Sequence, residues 1–124
     1  MLDTNRVGDL IKRESQVGQV VAEADHVFLP FVVVAELHTG YRKGNRREKN
    51  EAELARFLRE PGVQVLYADE ETVDIWADLN ASLLRGGVTL PHNDVWIAAL
   101  AIQHRATVYS ADQHFDRIEK VTRL

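Results

Sequence analysis

The sequence predicts an α/β domain organised on a short parallel sheet, and three observations carry that expectation. Short β-rich runs, Val27-Phe28-Leu29, Val63–Leu66 and Thr107-Val108-Tyr109, alternate with longer stretches of helical period. From Val95 to Ile102 every residue is apolar, so a helix there is apolar all round and belongs inside a core. Several strand-like runs are followed closely by an acid, and open parallel sheets present ligand sites at the carboxyl ends of their strands. A chain of 124 residues is long enough to bury one core, so residues 1–124 are read as a single domain.

Taken in order, Met1-Leu2 is a very short strand running into a helix start at Asp3-Thr4-Asn5. Val7, Leu10, Ile11, Val17, Val20 and Val21 then recur at helical spacing to Ala24, with a break expected between Ser15 and Gly18. Val27-Phe28-Leu29 ends at Pro30, and a helix follows from about Phe31 to Tyr41, closing on Gly44. A charged amphipathic helix from Arg46 to Glu60 buries Leu54, Phe57 and Leu58 and is stopped by Pro61-Gly62. Val63–Leu66 is a strand. Glu70 to Arg85 is a helix with Val73, Ile75, Trp76, Leu79, Leu83 and Leu84 inward, ended by Gly86-Gly87. Val88-Thr89-Leu90 leads as a strand-like run into the apolar helix, for which Pro91 and Asn93 are start signals, Asn93 as N-cap. Thr107–Tyr109 is a further strand, Asp112 to Phe115 a single turn, and the tail from Val121 a candidate edge strand.

Composition excludes several classes. No cysteine is present, which removes disulfides, thiolate nucleophiles and Cys-based zinc sites and fits a reducing cytoplasm, the expected compartment. No run is long and apolar enough to span a membrane, and the N-terminus carries Asp3 and lacks an apolar signal-peptide core. A net charge of −4 argues against broad charge-driven nucleic-acid binding, but not against an enzyme that meets nucleic acid through metal ions.

Chemistry concentrates in four acids. Asp3 follows Met1-Leu2, Asp94 follows Val88–Leu90, and Asp112 follows Val108-Tyr109 after Ser110 and Ala111. Three carboxylates at strand ends of one parallel sheet point into one region. Glu36 lies three and four residues after Val33 and Val32, on their helical face, where a charge is costly unless partnered. Asp94 also sits in the first turn of its helix, where the dipole favours a negative charge, so simple capping is its other reading. Four converging acids without obvious cationic partners repel one another. A divalent cation resolves this, and oxygen-only ligands select a hard ion such as Mg²⁺ or Mn²⁺. Such a site suits phosphodiester hydrolysis by activated water.

Leu2-Asp3-Thr4-Asn5, Ala35-Glu36-Leu37 with Gly40, Leu90-Pro91-His92-Asn93-Asp94-Val95-Trp96-Ile97-Ala98-Ala99 and Ser110-Ala111-Asp112-Gln113-His114-Phe115 resemble the successive motifs of PIN-domain ribonucleases, most closely the VapC-type toxins of toxin–antitoxin pairs. The resemblance spans essentially the whole chain, and the Asn-Asp-x-x-Ile-Ala-Ala segment is its most specific part. It implies a three-layer α/β/α domain with a short central parallel sheet and Mg²⁺- or Mn²⁺-dependent endonucleolytic cleavage of RNA. By motif position it implies Asp3 and Asp94 as main metal ligands, Glu36 and Asp112 completing the acidic cluster, and supporting hydrogen bonds from Asn5, Asn93 and Ser110. It further implies a homodimer and a small cognate antitoxin that covers the acidic groove. Two departures stand out: only two residues precede the first Asp, where relatives have several apolar ones, and Ala111 stands where relatives often carry a polar or cationic residue.

Other signals are weaker. Arg42, Lys43, Arg46, Arg47 and Lys49 concentrate positive charge, as a solvated loop and helix start or as a grip on RNA or an acidic partner. His26, His38, His92, His104 and His114 lack zinc-ligand spacing, although His92 and His114 flank proposed site acids, where they either contact RNA or pack at the surface. Trp76 and Trp96 read as core, with a dimer contact the alternative for Trp96. Two competing functions stay open. A phosphorelay receiver also uses strand-end acids with Mg²⁺, but it needs an acid pair at the first strand and a late Lys, and no Lys lies between Lys49 and Lys120. A non-catalytic PIN-like binding module is the other, disfavoured by the presence of all four acids.

Overall fold

The computed structural model describes residues 1–124. The helices are α1 (Thr4–Ile11), α2 (Ser15–Glu23), α3 (Phe31–Lys43), α4 (Arg47–Leu58), α5 (Glu70–Arg85) and α6 (His92–His104), and the strands are β1 (Val27–Pro30) and β2 (Val63–Leu66). A short 3-10 helix, Gln113–Arg117, follows them. β1 and β2 pair in parallel, Val27 opposite Val63 through Pro30 opposite Leu66. The Leu2 amide donates to the Phe28 carbonyl at 2.9 Å, Leu2 bridges Tyr109 in parallel, and Val108 bridges Arg123 in parallel. The hydrogen-bonded order across the sheet is therefore β2, β1, Leu2, Tyr109 and Arg123. The α/β class with a short parallel sheet is the one expected. Met1-Leu2, Thr107–Tyr109 and the tail contribute single bridges rather than full strands, because each has only two or three residues of suitable length and pattern.

Local chemistry explains the boundaries. Asp3 caps α1, its Oδ1 accepting the Arg6 amide at 3.0 Å. The first helical stretch breaks at Lys12–Glu14 rather than between Ser15 and Gly18. Arg13, at φ 61°, takes the left-handed conformation, and its amide returns to the Leu10 carbonyl. Pro30 closes β1 and opens α3, whose Val32, Val33 and Leu37 are buried. Asp69 caps α5 through a reciprocal pair with Thr72, and Thr72 is fully buried. Within α5 Leu83 faces inward, but Val73 and Leu84 are 51% and 54% exposed, contrary to the inward reading. Sixteen residues of α5 make more than four turns, and its apolar positions spread over too wide an arc for one packed stripe.

Val88–Leu90 forms no strand. The Val88 amide instead closes the end of α5 on the Leu83 carbonyl, and only Leu90 of the three is buried. α6 is the core element foreseen: Val95 and Ile97 through Ala101 are buried, in contact with α5 and α3. Trp76 and Trp96 are half-buried rather than core, their ring centroids 5.3 Å apart, with Phe31 edge-on to Trp96. No helix is long and apolar enough to cross a membrane.

Candidate active site

Asp3 leaves the sheet at Leu2 and is nearly buried, at 8% exposure. Its Oδ2 accepts the hydroxyl of Ser110, which is fully buried, while Oδ1 serves the cap of α1. The same Ser110 Oγ accepts the Asp112 amide at 2.9 Å. Asp112 Oδ1 then accepts the His114 amide at 2.9 Å, starting the 3-10 helix. His114 turns its Nδ1 back, 3.1 Å from Asp112 Oδ2 and 3.1 Å from Asp94 Oδ2. On the other side, the Glu36 carboxylate accepts the Thr4 hydroxyl and, at 2.7 Å, the Asn93 amide nitrogen. Since Thr4 adjoins Asp3 and Asn93 adjoins Asp94, these contacts close a ring that links all four acids.

Several expectations change here. Asn93 is not the N-cap of α6. That place belongs to Pro91, whose carbonyl accepts the Val95 amide, and Asn93 in the first turn sends its side chain to Glu36. Pro91 has no side-chain acceptor, so this helix start carries no side-chain cap. Glu36 is exposed although helical spacing puts it on the face of Val32 and Val33, and its carboxylate is partnered by Thr4 and Asn93. Asn5 is exposed and joins none of these hydrogen bonds; Thr4, which sequence reasoning passed over, joins instead. The acids are not without partners either, since His114 lies between two of them. Its signal was its place two residues beyond Asp112, which a search for zinc spacing could not register.

Asp94 has a pKa above the ordinary carboxylate value. Burial is the main cause; the His114 hydrogen bond opposes it, and the charges of Asp112 and Glu36 add to it. One ligand atom each of Asp94, Asp112 and His114 lie within 4.8 Å of one another, a donor set able to hold a cation.

An α/β domain that gathers acids at one end of a short parallel sheet defines the class. The chain belongs to the PIN domain family, whose sequence profile matches residues 1–121. It is similar to ribonuclease VapC2 of Rickettsia felis, 26% identical over 101 residues covering 81% of this chain and 74% of that protein. Two solved structures are similar throughout. VapBC-1 from nontypeable Haemophilus influenzae has a TM-score of 0.89 at 26% identity, covering 100% of this chain and 95% of that one. VapBC2 from Rickettsia felis, bound to a DNA fragment from its promoter, has a TM-score of 0.88 at 25% identity, covering 100% and 96%.

Proposed function

We propose that this protein is a metal-dependent endoribonuclease, the toxin of a type II toxin–antitoxin pair, inhibited by a small cognate antitoxin and assembled as a homodimer. The observation that carries the reading is the ring of contacts joining Asp3, Glu36, Asp94 and Asp112 in a PIN domain. The ribonuclease name of the Rickettsia relative and the toxin–antitoxin complexes among the structural relatives support it.

The donor set fits a divalent ion. Asp94 and Asp112 bring carboxylate oxygens within 4.8 Å of each other, and the pKa of Asp94, raised chiefly by burial, is raised further by neighbouring charges that a cation would relieve. In this reading Asp3 and Asp94 are the principal ligands of Mg²⁺ or Mn²⁺, with Glu36 and Asp112 completing the cluster. When bound, such an ion supplies water activation and neutralisation of phosphate charge. The chain's own residues prepare that place. Ser110 holds one oxygen of Asp3, and the α1 cap holds the other, so this carboxylate is locked in orientation. Thr4 and Asn93 grip both oxygens of Glu36 across from it, and Asn93, Ser110 and Thr4 thereby act as positioning residues. Asn5 has no such contact and is assigned no role.

The test is cleavage of RNA by purified protein with Mg²⁺ or Mn²⁺, with chelator, and with the product of the neighbouring gene added in stoichiometric amount. The reading expects metal-dependent endonucleolytic products, none in chelator, and inhibition by the partner. A protein inert toward RNA with either ion would leave only the binding-module reading.

A further inference from the structure

The group formed by Asp94, Asp112 and His114 is not an all-oxygen site. A nitrogen faces both carboxylates, with His114 Nδ1 3.1 Å from an oxygen of each. Neighbouring ligands on an octahedral ion with bonds of about 2.1 Å stand roughly 3 Å apart, so this spacing suits atoms that share one ion. The imidazole is also held in place. The His114 amide is tied to Asp112 Oδ1, and the next residue, Phe115, is anchored in the core at 1% exposure. Its ring is nevertheless half open to solvent, which leaves an entry path.

We infer that His114 is a direct nitrogen ligand of the divalent ion and makes the site prefer Mn²⁺ to Mg²⁺. The inference rests on the metal-dependent reading above. Its physical basis is ligand softness. Mg²⁺ dehydrates reluctantly and takes oxygen ligands, whereas an imidazole nitrogen bonds more strongly to first-row transition ions. A carboxylate-only cluster would discriminate far less between the two.

The experiment measures binding of Mn²⁺ alone and Mg²⁺ alone to the metal-free full chain by calorimetry, with pulsed electron paramagnetic resonance on the Mn²⁺ form. The wild type is expected to bind Mn²⁺ at least about tenfold more tightly than Mg²⁺ and to show ¹⁴N coupling. In His114→Ala the nitrogen coupling should vanish, and Mn²⁺ affinity should fall about 10- to 100-fold while Mg²⁺ affinity moves by less than about threefold. His114→Gln, which keeps a donor toward the carboxylates without an imidazole, should behave like His114→Ala. Mn²⁺ bound without nitrogen coupling, equal losses for both ions, or restored Mn²⁺ preference in His114→Gln would overturn the inference and make His114 a positioning residue only. Failure of the wild type to bind either ion would overturn the metal-dependent reading, and this inference with it.

Discussion

Ser110 joins two of the acids through one hydroxyl, donating to Asp3 and accepting from the Asp112 amide. It is fully buried, so Ser110→Ala leaves both partners short of a hydrogen bond where water cannot replace it. The expected loss is about 1–3 kcal/mol of metal-free stability, read from the denaturant midpoint, together with reduced cleavage. A variant as stable as wild type would show that these contacts are replaced by solvent. At this scale the sequence was informative about residue type and less so about direction. Asp3, Glu36, Asp94 and Asp112 could be picked out because acids after apolar runs are conspicuous. Asn93 was misread as a cap because Asn is a good N-cap in general, and only the packing of α3 on α6 brings Glu36 within its reach. His114 was legible only as a neighbour of a site acid, read as an RNA contact or a surface residue, because its partners lie 20 residues back and two residues back, a spacing with no helical or zinc-site signature.

Among the elements, α6 and α5 make the largest helix pair, and the first turn of α6 carries Asn93 and Asp94 to the site. Leu100 of α6 belongs to the buried core and has no exposure. Leu100→Ala should cost about 2–5 kcal/mol, a large part of a typical domain's stability, measured by chemical unfolding. The N-terminus of α5 supplies a pH-dependent term. Asp69 titrates below the ordinary carboxylate value, first because it accepts the Thr72 amide and then through Gln103 and the Thr72 hydroxyl. A depressed folded pKa means stability that is full above the unfolded value, about 3.9, and lost as pH falls through the lower folded one. Asp69→Ala should therefore be less stable than wild type at neutral pH, with the gap narrowing below about pH 4 as the wild-type carboxylate protonates. A gap constant from pH 7 to pH 2 would assign the effect to helix propensity instead. The apolar run of α6 and the turn signals around α3, α4 and α5 made those helices legible. Val88–Leu90 was not, since three β-prone residues read alike whether they pair with a neighbour or simply close a helix.

Across the whole molecule, the sheet is the part least visible in the sequence. Only β1 and β2 form a continuous ladder, while two isolated bridges, Leu2 with Tyr109 and Val108 with Arg123, extend the sheet. Strands this short carry little pattern, and their pairing depends on contacts more than 100 residues apart, such as the Tyr109 amide on the Met1 carbonyl. The order of acids along the chain nevertheless survives as a ring in space. Its electrostatics make the central claim testable with one substitution. Asp94 is half-buried, is not the cap of α6, and is pushed toward its neutral form by burial and by Asp112 and Glu36. Asp94→Asn should therefore fold with an unchanged or higher metal-free melting temperature, since repulsion among the acids falls. If Asp94 holds a divalent ion, the same variant should lose most of the metal-induced rise in that temperature and cleave RNA at least about a hundredfold more slowly. The most direct measurement is melting temperature against Mg²⁺ or Mn²⁺ concentration, with cleavage rate measured on the same preparations of both proteins. The account predicts a flat metal response and lost cleavage in a well-folded Asp94→Asn. A variant that keeps both the wild-type metal response and wild-type cleavage would contradict it.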